Sequence, residues 1–182
     1  MSAIADHYRT LARNFSDTVD AVPPDRWEDP SPCEEWSARD VVQHVVDSEM
    51  GMLERVGLAP DPAPSGDQSE RWSAVRDLVQ DSLDDPARAQ IEYDGFFGRT
   101  TFETTIDTFG CFDLLVHRWD LARATGQTSH EAMPPDEVTR ALEMARSLGD
   151  TLRQSGACGP EVEIADDADE QSRLLAFLGR RP

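Results

Sequence analysis

Residues 102–126, FETTIDTFGCFDLLVHRWDLARATG, predict one long helix and decide the fold. Thr100 and Glu103 suit a capping box at its start, and Gly126 suits the left-handed position that follows a helix. At 100° per residue, the apolar side chains of this stretch fall on one face, which indicates packing against a core. They are Phe102, Ile106, Phe109, Val116 and Ala124.

Three ionisable residues, Asp113, His117 and Asp120, fall on the same apolar face. A carboxylate in a core is costly unless it is paired, neutralised or bound to a metal. Asp113 and His117 are one helical turn apart, so both side chains can reach a single ion. An ordinary ion pair remains the alternative, because two ligands alone do not hold a metal.

Helix two offers two candidates for a third ligand. Periodicity places Glu49 near the centre of its apolar stripe and His44 on the flank, so periodicity alone favours Glu49. The other histidines, His7 and His130, are interpreted as structural or exposed. Cys33 lies just before helix two, where a helix N-terminus lowers the pKa of a thiol, and is a weaker candidate for a reactive group.

The remaining periodic segments predict an all-α protein that forms a single domain over residues 1–182. The expected architecture is a four-helix bundle with a short hairpin or loop insertion and a small C-terminal extension. Ser37 and Asp40 form a capping box for helix two, with Trp36 and Val41 as its hydrophobic staple. The predicted helices cover residues 3–22, 37–57, 69–84, 100–124 and 135–156, with a short helix near 174–178, an aromatic hairpin or loop at 90–100 and a short strand at 162–164.

Composition excludes several classes of function. With 17 basic and 36 acidic residues the formal net charge is −19, which disfavours nucleic acid and anionic membranes as partners. All basic residues are arginine, so Schiff-base chemistry on a lysine is excluded. Three separated cysteines favour neither a disulfide framework nor a zinc knuckle, and we expect a cytoplasmic protein.

Two motifs resemble a known family. Residues 30–44, PSPCEEWSARDVVQH, and 113–126, DLLVHRWDLARATG, are similar to the two signatures of the actinobacterial branch of the DinB-like superfamily, and residues 174–182, LLAFLGRRP, are similar to its C-terminal ending. This branch includes the N-terminal metal-binding domain of mycothiol-dependent maleylpyruvate isomerase. The isomerase has a glutamate where this chain has Asp113, and a separate C-terminal domain that we do not expect here.

The resemblance implies a four-helix bundle that binds a divalent metal, with zinc or nickel as first candidates, through His44, Asp113 and His117. It therefore selects His44 over Glu49. Asp120 would be either a partner that supports a ligand or a catalytic general base near the metal.

The expected function is that of a metal-dependent transferase or isomerase that uses a low-molecular-weight thiol such as mycothiol and an electrophilic substrate. Arg118 or Arg123 would steer an anionic thiol into the acidic protein. The alternative is a non-enzymatic metal-binding or regulatory helical-bundle protein, and a homodimer is left open.

Overall fold

The computed structural model describes residues 2–154 and 156–182. Four helices form the bundle: α1 (Ala3–Asp20), α2 (Ala38–Arg55), α3 (Gln68–Asp84) and α6 (Cys111–Thr125). Helix α1 packs against α3 and α6, and α2 packs against the same two helices. The predicted all-α four-helix bundle is confirmed.

Side-chain caps fix where α2 and α3 begin. The predicted capping box at α2 is present: the Asp40 backbone N–H donates to Ser37, and Asp40 accepts from the Ser37 backbone N–H at 2.9 Å. A second capping box, formed by Asp67 and Glu70, begins α3 and was not predicted. Because these caps satisfy backbone donors that the helix itself leaves unpaired, each start is set locally by the sequence.

The aromatic segment forms a β-hairpin, with β1 (Glu92–Gly95) paired antiparallel to β2 (Gly98–Thr101). Its connection consists of Phe96 and Phe97 alone. The hairpin leads directly into α5 (Phe102–Thr105), whose N-cap is Thr101, which accepts from the Thr104 backbone N–H. The predicted cap at Thr100 is therefore wrong by one residue, and the N-cap is the last residue of β2, Thr101.

The predicted long helix is interrupted by a π-helical segment, Ile106–Gly110, between α5 and α6. A π turn accommodates an extra residue, so the residues before and after it do not follow one 100° spiral. Helix α6 then runs regularly to Gly126, which adopts φ 74° as predicted.

The C-terminal third differs most from the prediction. The expected helix over 135–156 is divided at Gly149, whose φ of 51° and ψ of −127° are incompatible with a helix, into α7 (Pro135–Leu148) and α8 (Asp150–Gln154). Residues 162–164 form no strand. Helix α9 (Glu170–Phe177) packs against α7 and confirms the short docked helix. The shorter elements are α4 (Pro86–Ala89) and a 3-10 turn at Thr128–His130.

The core lies between the four bundle helices and includes two tryptophans, Trp72 and Trp119. Trp72 packs edge-to-face against Phe15 at 4.9 Å between ring centroids, and its Nε1 donates to Ser16 Oγ at 2.9 Å. The buried indole thus keeps a hydrogen-bond partner inside an apolar environment.

Candidate metal centre

His44, Asp113 and His117 meet where α2 packs against α6. One ligand atom from each of the three side chains lies within 4.8 Å of the others. His44 Nε2 is 3.6 Å from Asp113 Oδ2, and the two imidazole centroids are 4.8 Å apart. The side chains of His44 and Asp113 remain 35% and 26% exposed, so the cluster opens toward solvent.

The imidazole of His117 is hydrogen-bonded to a buried carboxylate on the same helix. Its Nδ1 donates to Asp120 Oδ2 at 3.0 Å, one turn further along α6. Because the Nδ1 proton is used there, the lone pair of the neutral imidazole lies on Nε2.

Asp120 is fully buried and is paired with the chain's C-terminal segment. Arg180 donates to it through both Nε and Nη2, at 3.2 and 2.9 Å. Burial alone would raise the pKa of Asp120, but the hydrogen bond from His117 and the Arg180 guanidinium outweigh it and lower the pKa to about 2. Asp120 therefore stays ionised at neutral pH and is a weak proton acceptor.

Cys33 lies at the edge of the same network. Its Sγ is 3.3 Å from Asp120 Oδ2 and 3.2 Å from Arg180 Nη2. Burial, and then the Asp120 carboxylate, raise the pKa of Cys33 to about 12, although Arg180 acts in the opposite direction. The expected lowering of this pKa by the N-terminus of α2 is therefore wrong, and Cys33 is a protonated thiol at neutral pH.

A cavity of about 860 Å³, here called the ligand cavity, contains the cluster. Trp36 forms one wall, with its ring 4.8 Å from that of His44 and 5.9 Å from that of His117. Arg180 and Arg181 also line the cavity. A cavity of this size takes a small organic molecule beside the three candidate ligands.

Comparison with known proteins shows a family similarity in the N-terminal part of the chain. Residues 8–94 match the model of the mycothiol maleylpyruvate isomerase N-terminal domain. The match includes His44 and ends before α6. The positions of Asp113, His117 and Asp120 beside His44 are therefore known from the structure and not from the family match.

Two uncharacterized proteins of Mycobacterium tuberculosis, from strains CDC 1551 and H37Rv, are similar to nearly the whole chain. Each is 27% identical over 175 residues, which covers 91% of this chain and 91% of the relative. No solved structure gives a significant match. None of the described helices is long and apolar enough to span a membrane.

Glu49, which periodicity favoured as a ligand, is buried in the core of the bundle instead. Its Oε2 accepts a hydrogen bond of 2.8 Å from the Tyr8 hydroxyl, and its Oε1 has no partner. Burial raises the pKa of Glu49 to about 8, although the Tyr8 hydrogen bond acts against this and Asp113 adds to it. In this arrangement Glu49 is a neutral core residue at neutral pH.

This buried acid predicts a pH dependence of stability. The pKa of Glu49 is raised above the value near 4.3 of an unfolded chain, so its contribution to stability is complete below about pH 4 and is lost as pH rises toward 8. Relative to Glu49→Gln, the wild type should lose about 2–4 kcal/mol of unfolding free energy between pH 5 and pH 8. Urea denaturation in the presence of a chelator measures the difference, and parallel pH profiles of the two proteins would contradict it.

Two other groups of side chains in the described chain have ligand-like spacing: His7 with Asp107 and Cys111, and Cys33 with His117 and Asp120. In the first, both imidazole nitrogens are already hydrogen-bonded, to Asp107 at 2.9 Å and to Glu137 at 3.0 Å. In the second, Asp120 is already neutralised by Arg180. The His44 cluster contains no arginine, and the neighbouring Asp120 carboxylate bonds only to Nδ1 of His117, which makes this cluster the best candidate of the three.

Arg180, which pairs with Asp120, was not predicted from the sequence. Neither Arg118 nor Arg123, the predicted steering residues, lines the ligand cavity: Arg118 donates to the Ala132 carbonyl, and Arg123 pairs with Glu131. The sequence offered only an indirect indication of Arg180: a carboxylate on an apolar helix face, such as Asp120, requires a cationic partner when it is buried. Which arginine supplies it depends on the path of the C-terminal segment.

Proposed function

We propose that this protein binds a divalent metal ion through His44, Asp113 and His117 and uses it, with a low-molecular-weight thiol such as mycothiol, in a transferase or isomerase reaction. The observation that carries the proposal is the convergence of these three side chains in the ligand cavity. The family similarity of residues 8–94 supports a mycothiol-related role.

The donor set fits a catalytic metal. Two imidazoles and one carboxylate are ligands for zinc, nickel and other first-row divalent ions, and three protein ligands leave a position for a further molecule. The exposure of His44 and Asp113 to the ligand cavity is consistent with such an open position. A divalent ion bound there would lower the pKa of a coordinating thiol so that its thiolate forms near neutral pH.

The residues of the chain have distinct roles in this proposal. Asp120 is a positioning residue, because it orients the His117 imidazole and its low pKa makes it a poor general base. Arg180 keeps Asp120 ionised. Trp36 excludes water from one side of the two histidines, and Arg181 places a positive charge at the cavity wall.

The proposal predicts a spectroscopic signal from thiol binding. When mycothiol is titrated into the cobalt-substituted protein, an intense sulfur-to-metal charge-transfer band should appear. His117→Ala should lose the band, whereas His130→Ala should keep it, because His130 bonds to Thr18 away from the cavity. Absence of the band in wild-type protein shown to hold cobalt, with no turnover of a panel of electrophiles, would favour the non-enzymatic metal-binding alternative.

A further inference from the structure

A second cavity of about 620 Å³ adjoins the ligand cavity, and its lining includes none of the three candidate metal ligands. It lies between the β-hairpin, the end of α2, the π segment and α7, and is here called the aromatic cavity. Phe109, Met144, Leu152 and Ala157 line both cavities, so the two adjoin along these side chains. A molecule in the aromatic cavity can therefore present one end to the metal centre.

The hairpin exposes aromatic surface at a point where backbone geometry does not require it. The connection consists of Phe96 and Phe97, which are 83% and 59% exposed, and the positive φ that the turn needs, 105°, lies at Gly98. Phe97 stacks on Phe109 at 5.9 Å with nearly parallel rings, and Phe96 meets Phe97 edge-on at 4.9 Å. The three rings form a continuous aromatic wall that leads from solvent to the ligand cavity.

Two arginines supply the only cationic side chains among the described residues that line this cavity. Arg99 is already paired with Glu92 at 3.1 Å and Asp94 at 3.6 Å. Arg55, in the last turn of α2, has no hydrogen bond or ion pair to another described side chain. In a chain with a net charge of −19, an unpaired guanidinium beside apolar rings provides local complementarity to an organic anion.

We propose that the aromatic cavity binds the electrophilic substrate, and that this substrate is an amphipathic organic anion. Its planar apolar body lies against Phe97 and Phe109, its carboxylate or sulfonate pairs with Arg55, and its other end reaches the ligand cavity. The cavity volume is in the range typical of small-molecule sites. The assignment of this ligand as the substrate rests on the proposed thiol chemistry, whereas the binding site itself does not.

A matched pair of fluorescent probes tests the binding site directly. 8-Anilinonaphthalene-1-sulfonate has an apolar ring system and one anionic group, and N-phenyl-1-naphthylamine has the same rings without the charge. Both probes should bind the full-length protein at one site, and binding should persist after chelator treatment because the cavity lies outside the three metal ligands. Ser147→Trp, at an exposed position that lines the cavity, should weaken both probes by about tenfold or more.

The anion contact is tested separately. Arg55→Gln should weaken the anionic probe about five- to tenfold and change the affinity of the neutral probe by less than about twofold. Arg13→Gln, on an exposed part of α1, is the matched control and should change neither. Phe97→Ala should weaken both probes without a loss of stability, because its side chain is largely exposed.

The outcomes separate this inference from the proposed function. Unchanged binding in both Ser147→Trp and Phe97→Ala would overturn the site, and equal effects of Arg55→Gln on the two probes would overturn the anionic class. If the cobalt band appears but the probes fail these tests, the thiol chemistry stands and the substrate site is wrong. If the probes behave as expected without a cobalt band, the binding site stands and its assignment to a thiol reaction is wrong.

Discussion

Replacing Arg180 by alanine should lower the free energy of unfolding by about 3–5 kcal/mol. Asp120 has no solvent exposure, and Arg180 is its only cationic partner apart from a protonated His117 among the described residues. Removing the guanidinium leaves a buried carboxylate whose remaining hydrogen bonds come from the His117 imidazole and the weakly donating Cys33 thiol. Such a group must either be ionised at a high desolvation cost or take up a proton and lose its bond to the imidazole.

Arg181→Ala is the matched control for this substitution. Arg181 is adjacent and exposed, so its loss should change stability by less than about 0.5 kcal/mol. Asp120→Asn in the Arg180→Ala background should recover part of the loss, because the amide has no charge to desolvate. Equal denaturation midpoints of Arg180→Ala and Arg181→Ala in urea would show that the buried pair does not stabilise the fold.

Replacing His117 by alanine should reduce the affinity for a divalent ion by more than about 100-fold. Loss of a residue that supports a metal ligand typically costs 10–100-fold in affinity, and His117 would be a ligand itself. Asp120→Asn should give an intermediate loss, since it leaves the imidazole in place but changes the hydrogen bond that sets its tautomer.

Calorimetric titration of chelator-treated protein with zinc measures these losses. His7→Ala is the control, because His7 is clamped between Asp107 and Glu137 and belongs to a different cluster. Unchanged zinc affinity in His117→Ala would show that His117 of α6 is not a metal ligand. A larger loss in Asp120→Asn than in His117→Ala would make the carboxylate a direct ligand.

The bundle was predictable because its signals are local. The apolar spacing of α1, α2 and α3 and the Ser37–Asp40 capping box determine helices without reference to distant residues. The π segment at Ile106–Gly110 was not predictable, since it depends on how α5 and α6 both pack into one core. The break at Gly149 was overlooked for a similar reason, because a glycine within an apolar pattern is also tolerated in a helix.

The candidate site was predictable in part. Asp113 and His117 follow from their spacing on one helix, but the choice between His44 and Glu49 required the family resemblance. Periodicity shows which side of a helix a residue lies on, but not which residues of other helices it contacts. Glu49 points at Tyr8, a residue 41 positions earlier in the chain, and only the packing of α1 on α2 shows this contact.

The metal content of untagged protein purified from its native or a heterologous host tests the central proposal most directly. Elemental analysis should give close to one divalent ion per chain for the wild type and for Glu49→Gln, and a strong loss for His44→Ala. This result is expected because His44 shares the ligand cavity with Asp113 and His117, whereas Glu49 is buried against Tyr8. Full metal content in His44→Ala together with loss in Glu49→Gln would contradict the account and place the metal at the Glu49 side of α2.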